Sequence, residues 1–272
     1  FPGYTDDVRV TQVDTTSLVT SGKIHLYVSV TDDTGTPISG LGIDDFQVSE
    51  VSGDTQHSLQ ITNIEEQVNQ EATVNFLLLL DNSGSMYYGR GGVDPATDSD
   101  MKVFQAQQAV SNFLSDMQSS NDRVGLAAFN TFYTQLSPII GSTEHAANAL
   151  SLIQQPGDQE KYTDLFSALL SAGAEMQDQQ GRRVIIVLSD GVNETYFEST
   201  GEEHPEYGSQ SFTPEQVSRA YIQEGTTLYA IHFGVIQEAE LHTIVENTGG
   251  RVYEAENADQ LRGVYDSIRE EV

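Results

Sequence analysis

Several strand-like segments of this chain carry apolar residues at consecutive positions instead of only at alternate positions. In "TVNFLLLL" (73–80) the run Phe76–Leu80 has no polar residue, and "RVIIVLSD" (183–190) and "TTLYAIHFG" (226–234) have the same texture. A strand that is apolar on both faces needs cover on both faces, which helices provide in parallel sheets. The pattern therefore predicts a buried parallel sheet between two layers of helices.

Helical patterns lie between these strands. The segment "MKVFQAQQAVSNFLSDM" (101–117) places its apolar residues on one stripe, and 163–177 and 258–271 behave similarly. The segment 213–225 opens with a capping threonine, a proline at the first helical position and a glutamine three residues after the cap, and it ends on a glycine. Each of these segments is predicted to be a helix that covers one face of the sheet.

Three further segments complete the predicted sheet. Residues 123–130 and 251–256 read as strands. The extended run "FYTQLSPII" (132–140) follows the first of them too closely for a helical crossover, so we expect it to be an antiparallel edge strand. The predicted fold is a doubly wound α/β domain with a mostly parallel, Rossmann-like sheet and one antiparallel edge strand.

The N-terminal quarter has a different texture. Short β-branched and aromatic runs at 23–30, 45–51 and 58–66 are separated by turn residues and show little helical period. We therefore expect a small all-β, sandwich-like module over 1–72, followed by the α/β domain over 73–272.

The charge of the chain limits its partners. Forty-one acidic residues face twelve basic ones, a net charge of −29, so nucleic acid and anionic membranes should be repelled. Two explanations for this charge stay open: solubility, or adaptation to a salty, marine or halophilic exterior, where salt screens self-repulsion. The chain has no Cys, which favours a prokaryotic protein over an animal extracellular domain.

No stretch of the sequence has the roughly 20 apolar residues that a membrane-spanning helix needs, because the longest unbroken apolar run has five. We expect no direct membrane insertion by this segment. The chain begins with Phe1, and we interpret it as a processed or excised piece of an extracellular, cell-surface or periplasmic protein.

Small oxygen donors follow two of the apolar strands. Asp81, Ser83 and Ser85 stand in "DNSGS" after the first strand, and Asp190 stands in "LSDG" after a later one. In open α/β sheets, ligands bind beyond the carboxyl ends of the strands, near the point where the strand order reverses. Hard oxygen donors without His or Cys suit Mg²⁺, Mn²⁺ or Ca²⁺. The sequence therefore predicts a divalent-cation site at this edge of the sheet.

Over residues 73–272 the chain resembles the von Willebrand factor type A domain, preceded by an immunoglobulin-like β module as in bacterial surface proteins. That family's metal-ion-dependent adhesion site uses an Asp-x-Ser-x-Ser loop, a threonine before a helix and an aspartate after a core strand. The matching residues are Asp81, Ser83, Ser85, Thr163 in "KYTDLFSALL", and Asp190. The family's threonine often follows glycines, whereas Lys161 and Tyr162 precede it in this chain.

The resemblance implies an adhesion module that binds one cation, with Mg²⁺ preferred and Mn²⁺ or Ca²⁺ as alternatives. It also implies that one coordination position is filled by an Asp or Glu of a protein or peptide ligand. The donor chemistry agrees, since three of the five donors are neutral hydroxyls and a cation bound by them stays electrophilic. The plainer alternative is that the two serines and Asp190 only cap local turns.

Two other functional classes are alternatives to adhesion: a structural module and an enzyme. A structural surface module stiffened by calcium would wall off every outer position of the cation. A metal-dependent hydrolase needs a nucleophile and a base, yet no Gly-x-Ser-x-Gly frame surrounds either serine, and the six histidines are scattered without metal spacing. His232 comes nearest to the predicted site, without an obvious acid–base partner in sequence. We therefore expect no enzymatic activity.

Two long segments leave the sheet on the same side as these donors. Residues 87–100 and 193–212 are longer than connections in compact domains usually are. Their aromatic and basic side chains are typical of interfaces, and we expect ligand contacts from six of them: Tyr87, Tyr88, Arg90, Tyr196, Phe197 and Tyr207. Three aspartates of the first segment could hold a further calcium ion, although their spacing fits no calcium-loop template well: Asp94, Asp98 and Asp100.

Overall fold

The computed structural model describes most of the chain, namely residues 7–14, 18–31, 38–52, 55–65, 73–117, 121–190, 193–233 and 239–254. The predicted C-terminal helix over 258–271 lies outside these residues. Among the described helices, none is long and apolar enough to cross a membrane.

The N-terminal part forms two separate antiparallel ladders. Strands β1 (Asp7–Asp14) and β2 (His25–Thr31) pair with each other around the short helix α1 (Leu18–Ser21), and β3 (Val48–Ser52) pairs with β4 (Thr55–Leu59). The β character of this part is as predicted, whereas packing of the ladders into a sandwich stays a prediction.

The third predicted N-terminal strand is misplaced. The expected strand 58–66 is observed as Thr55–Leu59, and the residues after Leu59 join no ladder within the described range. In the strands Val48–Ser52 and Thr55–Leu59 no residue is buried, so no core selected one register of this pair over another. The first strand, Asp7–Asp14, was not predicted at all.

The rest of the chain is the predicted α/β domain. Its elements in order are β5 (Val74–Asp81), α2 (Lys102–Asp116), β6 (Arg123–Phe129), β7 (Tyr133–Ile140), α3 (Thr143–Ala149), α4 (Leu165–Met176), β8 (Arg182–Ser189), α5 (Tyr196–Thr200), α6 (Pro214–Glu224), β9 (Thr226–His232), α7 (Ala239–Asn247) and β10 (Val252–Glu254). The six strands lie in the order β10-β9-β8-β5-β6-β7. β7 pairs antiparallel with β6 at one edge, and the other strand pairs are parallel.

Two hydrophobic cores cover the two faces of this sheet. All eight residues of β5 are buried, and alternate side chains point to opposite faces. Phe76, Leu78 and Leu80 pack with α2 and α3, whereas Leu77 and Leu79 pack with α4, α6 and α7. This arrangement explains the unbroken apolar run Phe76–Leu80 in β5.

Local signals fix the ends of α6. The Thr213 side chain accepts a hydrogen bond from the backbone N–H of Gln216, Pro214 occupies the first turn, and Gly225 ends the helix at a φ of 62°. The predicted capping box and glycine stop are therefore confirmed.

The strand order reverses between β5 and β8. From β5 the chain moves outward to β6 and β7 on one side, then returns to β8 and continues to β9 and β10 on the other side. The crevice outside the carboxyl ends of these two strands is the place where doubly wound folds bind ligands. Asp81 ends β5, and Asp190 directly follows β8.

Candidate metal-binding site

Asp81 is held from two sides at the carboxyl end of β5. Its Oδ1 accepts a hydrogen bond of 2.8 Å from the backbone N–H of Ser83, and its Oδ2 accepts one of 2.6 Å from the hydroxyl of Ser189. Asp81 and Ser83 are both fully buried. Because each carboxylate oxygen accepts one hydrogen bond, each keeps a further lone pair for a ligand.

A chain of oxygen atoms connects the two strand ends. The hydroxyls of Ser83 and Ser85 lie 3.0 Å apart, and the Ser85 hydroxyl donates to Oδ1 of Asp190 at 2.9 Å. Ser85 is exposed while Ser83 and Asp190 are buried. The chain of atoms therefore opens to solvent at Ser85.

The segment that contains Thr163 approaches the loop 81–85 through its backbone. The N–H of Gly84 donates to the carbonyl of Lys161 at 2.8 Å, and the N–H of Thr163 donates to the carbonyl of Glu194 at 2.8 Å. A Cβ at position 84 would come within 3.1 Å of Cβ of Lys161, so glycine permits this close approach. Within the described part of the chain the hydroxyl of Thr163 has no hydrogen-bond partner, which leaves both lone pairs available.

Burial changes the acidity of Asp81. Its pKa is raised from 3.8 to about 7, first by removal from water and then by the charge of Asp190, whereas hydrogen bonds from Ser189 and Ser83 lower it. Two carboxylates facing one crevice repel each other, and a cation between them relieves that repulsion.

The predicted donors fit a divalent cation. Asp81, Ser83, Ser85 and Asp190 form one set of hard oxygens around the strand reversal, and Thr163 lies on the adjoining loop. No group of three or more His, Cys, Asp or Glu suited to a metal occurs among the described residues. This is compatible with the site, because three of its five donors are hydroxyls.

Lys102 also contacts this site, although no sequence motif indicated it. It is the first residue of α2, its side chain is buried, and its ammonium donates to Oδ2 of Asp190. The two residues are 88 positions apart in the chain, and the predicted helix 101–117 gave Lys102 no role beyond its helical position. Its rarity was the available signal, since the chain has only three lysines.

The segment 87–100 is more ordered than an open loop. The hydroxyl of Tyr87 donates to Oδ1 of Asn82 at 2.7 Å, and burial raises the pKa of this tyrosine to about 12. Tyr88 is 46% exposed. Arg90 lies in a short 3-10 turn, Arg90–Gly92, and its side chain lies outside the described set. Of the tyrosines, Tyr88 is thus the better placed for a ligand.

A further calcium site at the three aspartates of this segment has no support among the described residues. The Asp100 carboxylate accepts hydrogen bonds from the backbone N–H and the hydroxyl of Thr97, at 2.9 and 3.0 Å. It caps the 3-10 turn Asp98–Asp100, and Asp94 belongs to no acidic cluster suited to a metal within the described residues.

The segment 193–212 folds back onto the domain and contains α5. Tyr207 donates its hydroxyl to Oδ1 of Asp164 at 2.5 Å, and Oδ2 of Asp164 accepts from the backbone N–H of Tyr196 at 3.1 Å. His204 is buried, stacks on Tyr207 with ring centres 3.6 Å apart, and has Nε2 2.9 Å from the carbonyl oxygen of Thr131. Asp164, which directly follows Thr163, therefore anchors this segment.

These contacts divide the aromatic side chains of segment 193–212. Tyr196 is buried and Tyr207 is half-buried, so both serve the packing of the segment, whereas Phe197 is 47% exposed. Ligand contact by any of them stays a prediction. The sequence offered no signal for the anchor at Asp164, since it lies 43 positions from Tyr207.

Comparison with known families gives one match. The family model of the von Willebrand factor type A domain matches residues 75–267. No curated protein matches the chain.

Solved structures share the fold at low sequence identity. The chain is similar to BatB from Bacteroides thetaiotaomicron, at 18% identity and a TM-score of 0.52, over 72% of this chain and 96% of that one. It is similar to a D319A mutant of the PilB minor pilin from Streptococcus sanguinis, at 12% identity and a TM-score of 0.59. That match covers 99% of this chain and 78% of the other. It is also similar to the vWF domain of the type V pili tip protein Mfa5 from Porphyromonas gingivalis, at 14% identity and a TM-score of 0.50. That match covers 73% of this chain and 94% of the other.

Proposed function

The chain belongs to the von Willebrand factor type A domain family over residues 75–267, and we propose that it is a metal-dependent adhesion module that captures a carboxylate of a protein ligand. The cation would be held by Asp81, Ser83, Ser85, Thr163 and Asp190. One observation carries the proposal: the oxygen chain from Ser83 through Ser85 to Asp190 crosses the strand reversal and opens to solvent at Ser85.

The residues of the site would act in different ways. The fixed carboxylate of Asp81 supplies charge from the buried end. The serine hydroxyls can turn their lone pairs toward a cation while their protons stay in hydrogen bonds. A bound Mg²⁺ or Mn²⁺ would supply an electrophile for an Asp or Glu of the ligand.

Specificity would come from the two segments beside the site. Tyr88 and Phe197 expose aromatic surface that a ligand can bury. The acidic chain would repel an acidic partner at long range, but in ~0.15 M salt charges more than about 8 Å apart are largely screened. Contact at the cation then dominates over the net charge of −29.

The alternative classes have weaker support. A site walled off for structural calcium does not agree with the exposed Ser85. Hydrolysis would need a base for a serine nucleophile. Among the described residues no histidine bonds to Ser83 or Ser85, and the carboxylate that accepts from Ser85, Asp190, is also held by the Lys102 ammonium. We therefore propose a binding module, without turnover of phosphate or carboxylic esters.

The names of two structural relatives, a minor pilin and a pili tip protein, support placing this domain on a cell surface or in the periplasm. Surface adhesion agrees with the absence of Cys and with the strongly acidic composition.

Capture from native surroundings tests this function. The immobilised chain should retain a protein partner in Mn²⁺ and release it in excess chelator. Thr163→Ala should weaken retention sharply, whereas Thr243→Ala, at an exposed position of α7, should not. Retention that persists undiminished in chelator would refute the metal bridge.

A further inference from the structure

Lys102 places a buried positive charge inside the proposed site. Its side chain is only 8% exposed, and its ammonium donates to Oδ2 of Asp190. Oδ1 of the same carboxylate accepts from the Ser85 hydroxyl at 2.9 Å. The protein's own donors thus hold both oxygens of one proposed metal ligand.

The position of Lys102 is fixed by the fold. Its backbone N–H donates to the carbonyl of Tyr88 at 3.2 Å, which ties the start of α2 to the segment after "DNSGS". The next turn of the helix buries Val103 and Ala106 in the core against β5. A buried ammonium is costly without a partner, so the pairing with Asp190 is a built feature and not a chance contact of a mobile surface chain.

The ammonium changes the charge of the site. Asp81 and Asp190 alone would neutralise a divalent cation. With Lys102 the three groups together carry one negative charge, so the loaded site retains one positive charge. That surplus favours an anionic ligand over water or a neutral group.

We propose that Lys102 sets the selectivity of the site: it weakens cation binding and strengthens the hold of the loaded site on a ligand carboxylate. This inference rests on the proposed function. It predicts effects of opposite sign on two binding steps, whereas a lysine that only supports the fold would, when replaced, weaken both.

The first arm measures Mn²⁺ alone by calorimetry. Lys102→Met should bind Mn²⁺ roughly tenfold or more tightly than the wild type, because a unit charge a few ångström away repels a divalent cation strongly. Lys102→Gln, which keeps a donor without the charge, should also bind more tightly and covers the case in which the methionine variant does not fold. Lys23→Met removes the same charge from an exposed residue of the N-terminal part, before β2, and its affinity should stay within about twofold of the wild type.

The second arm measures acetate on the Mn²⁺-loaded proteins, by the loss of water-proton relaxation enhancement as acetate displaces water. Acetate should bind several-fold more weakly to Lys102→Gln than to the wild type or to Lys23→Met.

Three results would overturn the inference. Unchanged or weaker Mn²⁺ affinity in both folded Lys102 variants would refute it while metal binding stands. Acetate affinity that is equal in all proteins would refute the selectivity role. Absence of Mn²⁺ binding in the wild type and in both Lys102 variants would refute the inference together with the proposed function.

Discussion

Asp81→Asn should change how the stability of the metal-free domain depends on pH. The wild-type carboxyl has a pKa of about 7 when folded, against an ordinary value of 3.8. Between these values the folded state therefore binds more protons than the unfolded state, so stability is highest at low pH and falls as pH rises toward 7. The asparagine has no proton to lose, and it removes this contribution while it can still accept the hydrogen bond from Ser83.

The size of the effect follows from the two pKa values. Between pH 5 and pH 8, ionisation of the folded Asp81 should cost about 3 kcal/mol, at 1.36 kcal/mol for each pH unit between 5 and about 7. The free energy of unfolding of Asp81→Asn, relative to the wild type, should therefore increase by about that amount from pH 5 to pH 8. Carboxylates that do not interact with Asp81 titrate alike in both proteins and cancel in the difference.

Urea unfolding in chelator, followed by circular dichroism at pH 5, 6, 7 and 8, measures this difference. Asp158→Asn serves as the control, because the Asp158 side chain is fully exposed, and its difference from the wild type should not vary over this range. If the difference between Asp81→Asn and the wild type is the same at pH 5 and pH 8, the argument from burial and from the charge of Asp190 is wrong.

Three further predictions concern the sheet and the segment 193–212. Gly250→Ala should lower the free energy of unfolding by at least about 2 kcal/mol in a urea titration, because a Cβ there would lie 1.8 Å from the carbonyl oxygen of Leu228; wild-type stability would contradict this packing. Tyr207→Phe removes the hydrogen bond to Asp164 and should cost about 1–3 kcal/mol locally, seen as faster amide hydrogen exchange over 193–212; unchanged exchange would count against the anchor. Phe197→Ala should leave the melting temperature unchanged, since the side chain is 47% exposed, and should reduce partner capture; capture equal to that of the wild type would remove Phe197 from the ligand surface.

The buried sheet was predictable because its signal is local. Every residue of β5 is buried, and its unbroken apolar run Phe76–Leu80 needs cover on both faces of the sheet. The α6 caps were predictable for the same reason, since Thr213 and Gln216 are three positions apart and bond to each other. The positions of Asp81 and Asp190 at neighbouring strand ends followed from the fold.

Features made by distant residues were not predictable. The pairing of Lys102 with Asp190 and the anchoring of Tyr207 on Asp164 join parts of the chain that are 88 and 43 positions apart. Either contact needs the finished fold. The N-terminal strands were placed less accurately than the α/β sheet, because β3 and β4 have no buried residue to fix a register.

The central claim is that Asp81 and the oxygens chained to Asp190 hold one divalent cation. Calorimetric titration of Mg²⁺ and Mn²⁺ into the wild type, Asp81→Ala and the exposed control Asp158→Ala tests it most directly. We expect one ion per chain in the wild type and in Asp158→Ala, and no measurable binding by a folded Asp81→Ala. Equal affinity of Asp81→Ala and the wild type for both ions would contradict the claim.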